Sequence, residues 1–258
     1  MKTSGVMVIA GSDSCGGAGV QADLKTLSAF NVYAGTAITA ITAQNTAGVS
    51  DILSVPIGVL QSQINAIDAE INVRVVKTGM LHTNEIINVV NEYITQQKNT
   101  LLVVDPVMIA TSGAVLLDDN NLNAMRELIS HSFVVTPNIP EAEALCGTNI
   151  ASEEDIKKAA KIILGFGAKN VIIKGGHFNL EGGVIFNRVY CSDGAYFEIS
   201  NKRIAGEFHG SGCTFASAVA ACLFNGMNIC DAATQATQFV HIKIEKSLHG
   251  IGKSRLLP

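Results

Sequence analysis

Short runs of consecutive apolar residues, each closed by glycine, proline or a polar side chain, alternate with longer segments in which apolar and polar residues mix. The first run, Val6-Met7-Val8-Ile9-Ala10, stops at Gly11 and predicts a strand buried on both faces. A loop of small residues follows over 11–19, then a helix over 20–30. Residues 34–42 are small and β-branched, and 44–49 read as a loop. A helix over 59–71 leads into Val73-Arg74-Val75-Val76-Lys77-Thr78-Gly79-Met80, a strand and turn. From there the alternation is regular. A helix over 84–96 precedes the strand Leu101-Leu102-Val103-Val104-Asp105-Pro106, and a helix over 120–130 precedes Phe133-Val134-Val135-Thr136-Pro137-Asn138. Pro140 suits the first turn of a short helix to Cys146, and Ser152, with Asp155 three residues on, caps a helix to Leu164. Val171-Ile172-Ile173-Lys174-Gly175-Gly176 is a further strand and turn, and 184–190 and 195–199 flank Ser192-Asp193-Gly194 as a hairpin. Gly210-Ser211-Gly212-Cys213-Thr214 then opens a buried helix over 215–224, and a last helix over 231–247 precedes a glycine-containing tail.

Such alternation indicates an α/β fold, a mainly parallel central sheet with helices on its faces. With no linker, charge run or repeat to divide it, the chain reads as one domain over 1–258. In sheets of this kind ligands bind beyond the carboxyl ends of the strands. The residues predicted there are chemically informative. Asp105, Asn138 and Glu141 offer the oxygen ligands that Mg²⁺ prefers, and Lys174 offers a compact positive charge for a phosphate. Gly210, Ser211 and Gly212 form a turn whose backbone N–H groups and helix dipole suit an anion. Cys213 sits in that turn, where a thiol is expected to ionise more easily than a free one. A metal, a cationic clamp, an anion cradle and a group to receive a hydroxyl proton are the parts of phosphoryl transfer.

Composition narrows the setting. The chain is 48% apolar and 16% charged, so it can bury a large core, and 18 basic against 22 acidic residues give a net charge of -4. Without a basic block, nucleic acid and anionic membrane are excluded as expected partners. The six cysteines show no zinc spacing and no signal peptide or membrane span is evident, which predicts a reduced, cytoplasmic protein. Gly250-Ile251-Gly252-Lys253-Ser254 imitates the end of a P-loop, but Ser247 stands where the first glycine belongs and no strand precedes it.

Ordered motifs carry a resemblance along nearly the whole length. They are Ala10-Gly11-Ser12-Asp13, the segment from Gly16-Gly17-Ala18-Gly19 to Asp23-Leu24-Lys25-Thr26, Ala43-Gln44-Asn45-Thr46 and Lys77-Thr78-Gly79-Met80-Leu81. Asp105-Pro106-Val107-Met108, Thr136-Pro137-Asn138-Ile139-Pro140-Glu141, Lys174-Gly175-Gly176-His177 and His209-Gly210-Ser211-Gly212-Cys213-Thr214 complete the set. On these the chain resembles the hydroxymethylpyrimidine/phosphomethylpyrimidine kinases of thiamine biosynthesis, a branch of the ribokinase superfamily. The resemblance implies a three-layer α/β/α fold, a homodimer, and ATP with Mg²⁺ acting on a small pyrimidine alcohol and its monophosphate. It implies that Gly11, Asp23, Gln44, Met80 and Val107 line the pyrimidine pocket and that Asn138 and Glu141 form the N-x-x-E metal and phosphate motif. Lys174 and Ser211 fall to the nucleotide, and Asp105 joins Glu141 at the metal. Cys213, flanked by Gly210 and Gly212, takes the position where most of the superfamily carries an aspartate base.

Three positions depart from the pattern: Cys15 replaces a frequent glycine, Ser211 a frequent threonine, and the tail after His249 lacks a second histidine-bearing motif. The rival readings are a pyridoxal kinase, a Cys213–His209 thiol hydrolase and a silent pyrimidine-binding protein. Dual-activity relatives carry a further cysteine after the Asp-Pro-Val-Met stretch, and Ile109-Ala110-Thr111-Ser112-Gly113 has none. The hydrolase leaves Asp105, Asn138, Glu141 and Lys174 without a task.

Overall fold

The computed structural model describes residues 2–108, 121–177 and 183–258. Ile109 to Gly113, the stretch without a cysteine, lies outside these residues. Nine strands form the main sheet: β1 (Ser4–Asp13), β2 (Ala34–Asn45), β3 (Gly48–Ser54), β4 (Asn72–Thr78), β5 (Leu101–Val104), β6 (Val134–Val135), β7 (Asn170–Ile173), β8 (Val184–Cys191) and β9 (Tyr196–Lys202). Their order is β3-β2-β1-β4-β5-β6-β7-β8-β9. The six from β2 to β7 run parallel, and β3, β8 and β9 add antiparallel margins.

Alternate side chains of the buried strands feed two separate cores. Met7 and Ile9 of β1 join Leu102, Val104, Val135, Val171 and Ile173 under α2 (Ile57–Glu70), α3 (Asn84–Thr95), α4 (Leu122–Ser130), α5 (Ile139–Cys146) and α6 (Glu153–Gly165). Val6, Val8 and Ala10 join Val103, Val134 and Ile172 on the opposite face, under α1 (Gly19–Ala29), α7 (Ser211–Phe224) and α8 (Ile229–Glu245). This is the expected three-layer arrangement. Helix α7 is buried from Thr214 to Leu223, as its alanine-rich sequence requires of a helix apolar on every side. Ser152 and Asp155 do form a reciprocal cap on α6.

Two expectations are corrected. Residues 11–13 do not start a loop but extend β1, because a bulge between Ala10 and Ser12 lets Ser12 and Asp13 pair with Ile41 and Thr42. Gln44 likewise belongs to β2, paired across to Val49 of β3, so the loop shrinks to Thr46 and Ala47. The tail also has structure that its sequence did not announce. β10 (Glu207–His209), β11 (Leu248–His249) and β12 (Ser254–Leu256) form a small sheet in the order β10-β12-β11, and the Gly252 N–H donates to Thr46 Oγ1 at 2.9 Å. The P-loop imitation is therefore a turn against β2 and β3.

Candidate active site

The carboxyl ends of β5, β6 and β7 bring Asp105, Asn138, Glu141 and Lys174 together. The Lys174 ammonium lies 3.0 Å from Asp105 Oδ1 and 3.8 Å from Glu141 Oε2. Asn138 caps α5: its Oδ1 accepts from the Glu141 N–H at 2.9 Å, while its own N–H donates to Glu141 Oε2 at 2.7 Å. The N-x-x-E spacing is thus a capping box, with one carboxylate oxygen held and the other left over. Burial pushes the Glu141 carboxyl up to about 7, Lys174 pulling it down and Asp105 pushing it further up. Burial alone would lower Lys174, but the facing Asp105 and Glu141 carboxylates hold it above the usual lysine range. It stays charged.

The N-terminus of α7 opens onto the same group. Gly210 stands at φ 78 with Gly17's carbonyl where a Cβ would go, so no other residue fits that turn. At Gly212 a Cβ would come within 3.3 Å of Lys174 Nζ and 4.0 Å of Asp105 Oδ2. Ser211 and Cys213 flank this point half-buried. The expected ease of ionisation at Cys213 is overturned. Burial drives its thiol up to about 12, and the Asp23 and Asp105 carboxylates oppose the help from Lys77 and the Gly19 N–H. Cys213 rests as a neutral thiol.

The pyrimidine-side residues fall into two groups. Met80 packs with Ala40, Val49, Ile52 and Val107 in a small apolar cluster separate from both cores. Gly11 lies against it, a Cβ there coming within 2.5 Å of Met80 Cε. Gln44 stands half-buried in β2, its Nε2 3.4 Å from His209 Nε2. Asp23 does not join them. It is fully buried on α1, where Oδ1 meets Lys77 Nζ at 2.8 Å and accepts from Ser217 Oγ at 2.7 Å. In this structure it presents no surface to a ligand, because α7 and β4 cover it.

Sequence reasoning missed three groups. Lys77 is a fully buried charge beneath the α7 turn, lying in an apolar run that gave no sign of its partner. Asp13 collects the loop after β1: its carboxylate accepts from the Cys15 N–H at 2.9 Å, Gly17 at 3.0 Å and Ala18 at 2.7 Å. His209 Nε2 meets Asp13 Oδ2 at 2.8 Å. Burial would raise Asp13, but His209 and the Ala18 and Cys15 N–H groups hold it below the usual carboxylate range. The Ala10-Gly11-Ser12-Asp13 and His209-Gly210 motifs were the only signals for this pair.

Asp105 and Glu141 were expected to hold Mg²⁺. Among the described residues no cluster of three or more such ligands occurs. Asp105 Oδ2 is nevertheless buried without a hydrogen-bond partner, and the second Glu141 oxygen is outside the cap. Mg²⁺ takes one or two carboxylates and completes its shell with water and phosphate, so this donor set fits it.

A model of the phosphomethylpyrimidine kinase family matches residues 13–256. The chain is 42% identical to the hydroxymethylpyrimidine/phosphomethylpyrimidine kinase of Haemophilus influenzae, over 95% of this chain and 92% of that protein. It is 43% identical to the thiamine biosynthesis bifunctional protein ThiED of Geobacter sulfurreducens over 91% of its length, and spans about half (48%) of that longer relative. Among solved structures, pyridoxal kinase from Staphylococcus aureus in complex with AMP-PCP and pyridoxal superposes with a TM-score of 0.90 at 35% identity, covering 100% of this chain and 93% of that one. The match runs from the Asp13 loop to the β12 segment, taking in every strand end that carries the polar cluster, and the chain belongs to the phosphomethylpyrimidine kinase family.

Proposed function

We propose that this chain phosphorylates 4-amino-5-hydroxymethyl-2-methylpyrimidine, and then its monophosphate, with ATP as donor. The observation that carries the reading is the convergence of Lys174, Asp105 and Glu141 on the open turn at Gly212. Phosphoryl transfer needs positioning and stabilisation of negative charge more than it needs covalent chemistry. The N–H groups of the Gly210 to Cys213 turn receive the γ-phosphoryl oxygens, and Lys174 and Ser211 steady the nucleotide phosphates. Asp105 and Glu141 would hold Mg²⁺, with Asn138 fixing Glu141, and the ion would supply charge neutralisation at the phosphates. Gly11, Gln44, Met80 and Val107 orient the ring.

The substrate hydroxyl oxygen bonds to the γ-phosphorus as the bond to the β-phosphate oxygen breaks, releasing ADP. Cys213 orients that hydroxyl, and the proton leaves late to a phosphoryl oxygen, as a loose transition state allows. A neutral thiol suits this task. With the thiol pushed up to about 12, Cys213 is expected to react with iodoacetamide at pH 8 at least about 100-fold more slowly than a free cysteine, since the thiolate is the nucleophile. The rate should climb steadily with pH to 10. Mass spectrometry of the Cys213 peptide measures this, and fast labelling at pH 7 restores the base role. Near-normal turnover in Cys213→Ala removes orienting and base roles alike.

A coupled assay of ADP release tests the function, comparing the pyrimidine alcohol, its monophosphate and pyridoxal. Both pyrimidines are expected to support turnover. The second reading is pyridoxal phosphorylation, favoured by likeness to a structure with pyridoxal bound; faster turnover of pyridoxal than of either pyrimidine would establish it instead.

Two coarser features support the setting. Among the described residues no helix is long and apolar enough to cross a membrane, and the six cysteines are free, as a cytoplasmic location requires. Ile41 of β2 and Leu53 of β3 lie opposite each other, both side chains exposed, and offer an apolar patch for a homodimer, which light scattering would detect.

A further inference from the structure

Resting on the role proposed for Lys174 at the nucleotide phosphates, we infer that Asn187 of β8 and Thr237 of α8 are positioning residues for that lysine. Together they fix the peptide unit that follows it, and through the backbone they fix where its ammonium stands.

The backbone at Lys174 is held from both sides. Toward β6, the Lys174 N–H donates to Pro137 O at 2.9 Å and the residue bridges to Asn138. Toward β8, the next N–H, that of Gly175, donates to Asn187 Oδ1 at 3.2 Å. Gly175 is buried, and a Cβ there would collide with the Phe186 carbonyl, so the turn lies directly on the β8 backbone. A backbone donor in such a place needs an acceptor, and Asn187 supplies it.

Helix α8 decides which way round the Asn187 carboxamide faces. Thr237 Oγ1 has one hydrogen, and it goes to Ala233 O, one turn back, at 2.7 Å. Toward Asn187, 3.0 Å away, the hydroxyl can therefore only accept. The amide nitrogen must face Thr237, which leaves the amide oxygen for Gly175. Thr237 is itself buried and tied to the hairpin, since Asn201 Nδ2 of β9 donates to its carbonyl at 3.2 Å. A continuous chain of hydrogen bonds thus runs from α8 through β8 to the peptide beside Lys174.

This link bears on the reaction because the lysine has little slack. Its ammonium stands 3.0 Å from Asp105 Oδ1, 3.8 Å from Glu141 Oε2 and 3.3 Å from the place of a Cβ on Gly212. A shift of the backbone at Lys174 alters all three separations, and a misplacement of about 1 Å can cost about 10²-fold in rate. A fixed charge serves a transition state only if its place is set before the phosphates arrive. Asn187 and Thr237 set it, acting through Lys174.

Steady-state kinetics of the full chain test this, with ATP and 4-amino-5-hydroxymethyl-2-methylpyrimidine both saturating. Asn187→Leu, similar in shape but unable to accept, should lower kcat about tenfold and leave KM for the pyrimidine within about twofold of wild type. Thr237→Val should lower kcat about fivefold, whereas Thr237→Ser, which keeps the hydroxyl, should stay within about twofold of wild type. Added to Lys174→Ala, Asn187→Leu should cost no more than about twofold further, because the residue it acts through is gone. In the wild type, hydrogen exchange at the Gly175 amide, followed by NMR, should be slowed at least about 100-fold relative to an unstructured peptide. That reading does not depend on any variant folding. Unprotected exchange at Gly175, an undiminished kcat in Asn187→Leu, equal kcat in the two Thr237 variants, or full additivity with Lys174→Ala overturns the inference and leaves the kinase reading intact. If Lys174→Ala itself leaves kcat unchanged, the role given to Lys174 falls and this inference with it.

Discussion

Replacing Lys77 by methionine lowers the stability of the fold by about 3–5 kcal/mol, the usual cost of leaving one member of a buried ion pair alone. Lys77 and Asp23 are both fully buried, 2.8 Å apart, and no solvent reaches either charge. Burial would lower the Lys77 pKa, but Asp23 raises it above the usual lysine range, with Asp105 adding to the effect. Methionine fills nearly the same volume, so packing changes little while Asp23 keeps its single bond from Ser217 and loses its countercharge. Asp23→Leu added to Lys77→Met should recover most of the loss, because the pair as a unit gains little over apolar residues. Urea denaturation of the two variants and the wild type measures both quantities. A Lys77→Met variant within about 1 kcal/mol of wild type would show that the pair is neutral rather than ionised.

The largest effect on turnover is expected at Lys174. Lys174→Ala should lower kcat by about 10²–10³ at saturating ATP, the scale seen when one preorganised electrostatic contact to developing charge is removed. Asp105 and Glu141 would then face incoming phosphates with no cation between them, so the loss exceeds that of a single hydrogen bond. Lys174→Arg should not rescue activity. The guanidinium is a planar fork rather than a compact charge, and the α7 turn at Gly212 comes close to the ammonium. Steady-state kinetics of both variants, with circular dichroism to show that they fold, decides this. A fall confined to KM for ATP would limit Lys174 to holding the nucleotide in the ground state.

Much of the fold was legible because its signals are local. The strand cores, the Ser152 cap, the Pro140 helix start and the α7 turn each follow from residues within a few positions of one another. What escaped depends on distant partners. Lys77 follows Val75 and Val76, and a strand reading cannot distinguish it from Arg74, yet Arg74 is exposed and Lys77 is buried by an aspartate 54 residues away. β1 continues to Asp13 because β2 supplies Ile41 and Thr42 beside it. β12 is three residues long and exists through pairing with β10, where Ser254 meets Glu207. Cys213 was misjudged for a related reason. The helix terminus is visible in sequence, whereas the burial and the two carboxylates that outweigh it come from α1 and β5.

The turn at Gly210 has an entropic consequence. Gly17's carbonyl lies tight against it, His209 beside it is tied to Asp13, and β12 pairs with His209 through Leu256. Three remote segments clamp the backbone that is to receive a phosphoryl group. The loss of conformational freedom there belongs to folding and is complete before any ligand arrives. Binding energy from the nucleotide and the pyrimidine is then left for orienting the reacting atoms instead of ordering the loop that meets them.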